Sequence, residues 1–448
     1  MAPGPPAAPS EPLPAPADLA AAVVPVVEAE TRAPLGRPAV ATRAHGTTLL
    51  SLYEGDLLNR LWAAIGLGPR RPAHLALRAL LLPLLTWFPT ALLFAGTAAA
   101  AASRRIDASN YFADFAAYAQ FWLGLPLFVL AEAIVSISTR SASLEFAASG
   151  VIRRRDLARF ETLHWRFNRL ARHGLSDLLC VFLGGALSFA TIWPELHHAP
   201  AHATWHTIGS GRHYLSAAGY WEFCLALPLL NYWWLRHAWK VILWWQYLRA
   251  LSRFRLDLVA THPDATGGIG FISSVQAHFA WLLLAYGVTN VAATVGYELA
   301  LEGADLWSPP VWGPVLGFMI GGPLLFLLPL FMFTRQLYRT KRSARRLYRR
   351  RVMEQARLFE AEVLPRSAVE SATMTGALDL SLMAQFSRLF ESAQQMRVVP
   401  FDWRSVSQLV GSTFGSVASI LPALHLQGPL ASFFALAQKI MLSLGSAH

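Results

Sequence analysis

The sequence predicts an all-α fold: a polytopic transmembrane helical bundle of six spans, followed by a C-terminal pair that could form a membrane hairpin. Three observations predict it. The 448-residue chain is 54% hydrophobic and 15% charged, against about 45–50% and about 25% in a typical soluble domain. Its apolar residues fall in blocks near the ~20 residues needed to cross a bilayer. Its Lys and Arg crowd every second gap between those blocks, as cytoplasmic loops do.

The elements follow in order. Residues 1–45 are rich in Pro and Ala and lack the basic start and continuous apolar core of a signal peptide; they predict a disordered cytoplasmic tail. Spans are expected at 76–100, 118–138, 175–193, from Tyr220 to about Leu251, at 278–299 and at 311–334. Together 46–338 form the six-span domain. Arg70, Arg71 and Arg78 open the first span, eight arginines fill 139–174, Arg249, Arg253 and Arg255 follow the fourth span, and RTKRSARRLYRRR follows the sixth. Six crossings put all four regions on one side, so both ends of this core face the cytoplasm of a bacterial inner membrane.

Residues 139–174 predict a cytoplasmic helical insertion, with Ile152, Leu157, Phe160, Leu163, Phe167 and Leu170 at helical spacing. Region 339–400 predicts a basic cytoplasmic helix. Its stripe runs through Ala344, Tyr348, Val352, Ala356, Phe359 and Val363, with Arg345, Arg346, Arg349 and Arg350 off it. Two readings fit: a helix resting on anionic lipid headgroups, or a face that joins a homo-oligomer or a protein partner. Residues 401–448 predict a helical hairpin that enters the membrane or packs as a soluble pair, with Asp402 as an N-cap. Gly313, Gly317 and Gly321 form a small-xxx-small ladder, expected to pack on a neighbouring helix.

The net charge of +11 is explained by lipid and orientation, and no nucleic-acid reading module interrupts the spans. Cys180 and Cys224 lie in apolar runs and read as small hydrophobes.

The stretch LSAAGYWEFCLALPLLNYWWLRHAWKVILWWQYLRALSRFRLDLVATHPDATGGIGF, with VVPFDWRSVSQL further on, resembles a set of uncharacterised bacterial multi-pass inner-membrane proteins that share an AGYW…THPDxxGGxGF signature. The likeness covers roughly residues 75–440. It implies a bacterial inner-membrane location and no particular activity.

Two constellations are candidates for chemistry. Arg236 and Lys240 share one face of the fourth span. Intramembrane charge normally meets a cavity or a partner, so the pair reads as a cationic lining for an anionic solute or headgroup, or as interfacial residues reaching out of the bilayer. Glu132 is the expected counter-charge, with Asp177 second. In the loop His262, Pro263, Asp264, Gly267, Gly268, Gly270, glycines with free N–H groups could cradle an anion. The plainer reading is a rigid turn capped by Asp264.

No P-loop lysine follows the glycines. Two ligands are too few for a metal, and no cofactor is implied. The His-rich gap around His197, His198, His202, His206 and His213 reads as a solvated loop ahead of a metal sensor. Three functions follow: a channel or transporter for an anionic solute or headgroup; a scaffold or sensor whose basic helices bind lipid or partners; or an enzyme on a lipid-linked substrate, with His262 as base and Asp264 orienting it.

Overall fold

A computed structural model of the chain describes residues 49–68, 71–102, 111–197, 205–208, 214–292, 309–363 and 374–419. The expected tail at 1–45 and the second arm of the expected hairpin lie outside them. The principal helices are α1 (Leu57–Ala64), α2 (Pro72–Ala102), α3 (Leu125–Ala148), α4 (Leu157–Ala171), α5 (Gly174–His197), α6 (Leu227–Leu251), α7 (Phe271–His278), α8 (Ala280–Tyr286), α9 (Pro309–Leu327), α10 (Thr334–Val363), α11 (Met374–Gln395) and α12 (Trp403–Ala418). Among the described residues the only extended pairing is two residues long, Thr207–Ile208 against Tyr214–Leu215.

Apart from that pair the fold is all-α, and among the described residues five stretches are long and apolar enough to cross a membrane: Pro72–Gly96, Phe115–Ala148, Arg154–Trp193, Phe271–Val291 and Trp312–Arg357. They coincide with five of the six predicted spans. The remaining one is also helical, through Ala217–Trp221, a π-helical Glu222–Ala226 and α6, but it is not among the five. Arg236, His237 and Lys240 interrupt its apolar run, and all three are buried inside the bundle.

Local chemistry explains the breaks in the helices. The π-helical stretches Tyr118–Gly124 and Glu222–Ala226 lead into helices whose second residues are Pro126 and Pro228. Proline lacks the N–H that an α turn needs, and a wider turn accommodates the loss. A third π stretch, Gly287–Ala292, packs on the first. Gly124 permits that approach, because a Cβ there would sit 2.0 Å from Thr289 Cγ2. Helices α5 and α6 pack tightly, and a Cβ on Gly184 would lie 3.1 Å from the Pro228 carbonyl oxygen. Asn231 donates across the same seam to Ser188 Oγ at 2.9 Å.

Among the described residues nothing packs on the glycine ladder of the sixth span. A Cβ at Gly313, Gly317 or Gly321 would meet nothing within 4 Å. The packing glycine is the adjacent Gly322, where a Cβ would lie 2.8 Å from Leu283 Cδ1 on α8. Spacing revealed a smooth face; it did not reveal which way the face pointed. Pro329 falls in a 3-10 stretch, Leu328–Phe333, that carries α9 into α10.

The segment before α1 threads the bundle. Leu50, Leu52, Tyr53 and Asp56 are buried. Ser51 N–H donates to Asn168 Oδ1 at 2.8 Å, and Asn168 Nδ2 donates back to the Leu49 carbonyl at 2.7 Å. Leu57 N–H donates to Asp177 Oδ2 at 2.8 Å. Two elements, α4 and α5, are thus pinned to this strap. At the other end, α12 lies against α8 and α9, and Asp402 caps it by accepting from Ser405 N–H at 3.0 Å.

Candidate functional site

Three places carry concentrated charge or polarity. The first is inside the bundle. Arg236 on α6 donates through Nε and Nη2 to Asp56 Oδ2 at 3.0 and 2.7 Å, and through Nη1 to Glu132 Oε2 on α3 at 2.7 Å. Lys240, one turn on, lies 3.3 Å from the same Asp56 oxygen and donates to the Ala171 carbonyl at 2.7 Å. Asn59 Nδ2 reaches the other Glu132 oxygen at 2.7 Å, and Arg78 Nη1 donates to Asn59 Oδ1 at 3.0 Å. Arg236 is 0% exposed, Lys240 1%, Asp56 0% and Glu132 7%. Tyr53 and Trp233 rings flank the guanidinium, with centroids 5.2 and 5.4 Å from Cζ.

Taking a charge out of water costs several kcal/mol unless a partner and hydrogen bonds compensate. Here two cations meet two carboxylates, and every guanidinium nitrogen of Arg236 is engaged. Arg236 and Lys240 are therefore brought together with Glu132 and Asp56, as neighbours in one closed network. Asp56 is the residue that sequence reasoning missed. Its signal was faint: Asp ahead of LLNRLW is an N-cap pattern, and its side chain does accept from Asn59 N–H at 3.1 Å.

The second place is the 262–270 loop. Ala265, Gly267 and Gly268 all have positive φ, at 53°, 72° and 93°, so the turn needs residues tolerant of that region. The backbone curls around a carboxylate that the chain supplies. Asp264 Oδ1 accepts from Thr266 N–H at 2.8 Å, and Oδ2 accepts from Gly268 N–H and Gly270 N–H at 2.9 Å each and from the Thr266 hydroxyl at 2.8 Å. Burial alone would raise the Asp264 pKa, but these donors outweigh it and hold it at about 2. His262 Nδ1 lies 2.9 Å from Asp264 Oδ1. The nest is occupied from within, because its N–H groups aim at Asp264.

The loop also meets the distant VVPFDWRS stretch. Arg397 N–H donates to the Ala265 carbonyl at 2.6 Å, and a Cβ on Gly267 would lie 3.1 Å from Met396 Cε. Ser273 Oγ donates to Asp402 Oδ1 at 3.1 Å, and Ser405 Oγ donates to the Ser273 carbonyl at 2.9 Å. The 262–270 loop and the VVPFDWRS stretch, far apart in the chain, thus pack on one another.

The third place is a cleft of about 500 Å³ where α10 packs on α11 and the segment after it, lined by Tyr338, Lys341, Arg342, Arg345, Arg346, Arg349, Phe390 and Val398. Lys341 donates to the Met396 carbonyl at 2.6 Å. Among the described residues none of the four lining arginines has an acidic partner, and from Arg335 to Arg351 the helix carries no Asp or Glu. Ala344 and Tyr348, on the predicted apolar stripe, pack against the core. The arginines beside them face the cleft.

Of the histidines in the 197–213 gap, His206 lies 3.9 Å from Glu222 Oε2, while His198, His202 and His213 fall outside the described residues. No protein-family model matches this chain, and no curated protein or solved structure is detectably similar to it.

Proposed function

We propose that this is an integral membrane protein that crosses the bilayer six times, with the α6 segment as the fourth crossing, and works as an anionic-ligand receptor or anchor through its basic helices. The observation that carries this reading is the contrast between two cationic sites. Arg236 and Lys240 are neutralised by Asp56 and Glu132 inside a closed core. Arg342, Arg345, Arg346 and Arg349 line an open cleft and have no acidic partner among the described residues. An anion gains more where the positive charge is uncompensated and reachable.

The arrangement of basic segments supports the orientation, since six crossings gather all of them on one side, the cytoplasmic one. α10 continues the last crossing through Leu328–Phe333, so Tyr338 stands ~6 Å beyond Thr334 along the helix axis. The mouth of the cleft then lies at the headgroup layer of the inner leaflet. A channel or transporter working through Arg236 and Lys240 would first have to displace Asp56, and an enzyme using His262 as base would find Asp264 committed to the loop.

Each basic residue near an anionic leaflet contributes about 1 kcal/mol. Arg345→Gln with Arg346→Gln should therefore weaken binding of phosphatidylglycerol by about 2 kcal/mol, roughly 30-fold. The measurement is the rise in melting temperature of the detergent-purified chain on adding phosphatidylglycerol, with phosphatidylcholine as control. An undiminished rise in the double variant would defeat the reading.

A further inference from the structure

We propose that the α10–α11 cleft is built for a ligand carrying two or more neighbouring phosphate groups on an apolar or planar body, not for a singly charged headgroup. The inference rests on the reading of this cleft as the anion site and adds the class of ligand.

The argument starts from spacing. On a helix, residues four apart are neighbours on one face. Arg342 pairs with Arg346 in this way, and Arg345 pairs with Arg349; both pairs line the cleft. The second pair is offset from the first by ~4.5 Å along the axis, three residues at 1.5 Å each. Guanidiniums recognise phosphate through forked, bidentate contacts, so each pair forms a clamp for one phosphate group. One phosphate can occupy one clamp and leaves the other empty. Two phosphates on one ligand fill both at a single cost in lost freedom.

The remaining cation is already engaged. Lys341 donates to the Met396 carbonyl, so it stiffens the floor of the cleft and adds field without needing a ligand of its own. The other lining residues are of a different kind. Tyr338, Phe390 and Val398 supply an aromatic and aliphatic wall, which offers nothing to bare inorganic phosphate but suits the non-phosphate part of an ester. Two sources fit this chemistry: a membrane lipid with a multiply phosphorylated headgroup, reaching in from the leaflet, and a soluble nucleoside polyphosphate.

The test uses the full chain in uncharged detergent at fixed ionic strength. Equilibrium dialysis measures inorganic orthophosphate, inorganic diphosphate, a nucleoside diphosphate and a short-chain inositol lipid with two headgroup phosphates, in the wild type and in Arg346→Gln/Arg349→Gln, which breaks both clamps. Diphosphate is expected to bind at least about tenfold tighter than orthophosphate, and the double variant to lose that advantage. The organic ligand that exceeds diphosphate identifies the source, lipid or nucleotide.

Equal affinity for orthophosphate and diphosphate would overturn the inference. The receptor reading would stand in that case if the cleft variants still lost phosphatidylglycerol. Unchanged binding of every anion in the variant would overturn both.

Discussion

Asp56→Ala is expected to be the most damaging single substitution in the chain, lowering stability by roughly 3–5 kcal/mol, the cost of stranding a buried charge by removing its partner. Arg236 would keep Glu132, but its Nε and Nη2 would face a void, and Lys240 would lose the carboxylate 3.3 Å away. Asp56→Asn should be milder, since it preserves shape and one acceptor while leaving the core one positive charge in excess. Adding Lys240→Met to Asp56→Asn removes that excess and should recover part of the loss. Melting of the purified chain in mild detergent reads all three. If Asp56→Ala melts with the wild type, the network contributes nothing and the case against a ligand site at Arg236 and Lys240 falls with it.

The next largest effect is expected at Asp264. Asp264→Ala leaves the N–H groups of Thr266, Gly268 and Gly270 and the Thr266 hydroxyl without their acceptor, each loss worth about 1 kcal/mol or more. The damage should spread to the 396–405 segment, which rests on this loop through Ala265, Gly267 and Ser273. Limited proteolysis should therefore cut both places, not the loop alone.

A pH experiment isolates the charge. The folded pKa of about 2 lies below the ordinary value of 3.8, so the carboxylate stabilises the fold above pH 3.8. That contribution is lost as the pH falls from there through 2. Its size is roughly 1–2 kcal/mol after allowance for solvent screening. Asp264→Asn should flatten this part of the acid profile; an identical profile in the variant would show that the turn does not depend on the ionised form.

Both predictions bear on what could be read from the residues alone. Five long apolar helices were legible because each is a local property: some twenty consecutive side chains decide it. The Asp402 cap was legible for the same reason. The Asp56 contact was hidden because its partner Arg236 lies 180 residues away, and nothing near LLNRLW announces a buried cation. The loop posed a subtler difficulty. Gly267, Gly268 and Gly270 advertise free N–H groups, and Asp264 advertises a carboxylate. Only the backbone path, with Ala265 forced to positive φ, shows that the one is already bound by the others. The cleft was half visible: the arginines of α10 stand out, but the wall that turns them into a concave site comes from Phe390 and Val398, about 50 residues downstream.

The α6 segment is the element on which composition and structure pull apart. Its hydropathy falls short of the other five stretches, yet the charges in its middle, Arg236 and Lys240, are met inside the bundle. A helix that neutralises its own charges against its neighbours can sit in lipid while its composition argues against it. The six-crossing topology, and with it the position of the basic cleft at the inner leaflet, depends on that helix being inserted.

Cysteine accessibility tests this most directly. In a Cys180→Ser/Cys224→Ser background, single cysteines are placed by His262→Cys in the loop after α6 and by Arg350→Cys on α10, and sealed cells are treated with a membrane-impermeant maleimide. The account predicts that neither position reacts until the cells are permeabilised. Labelling of either one from the outside would put the loop or the cleft on the wrong face of the membrane and contradict the account.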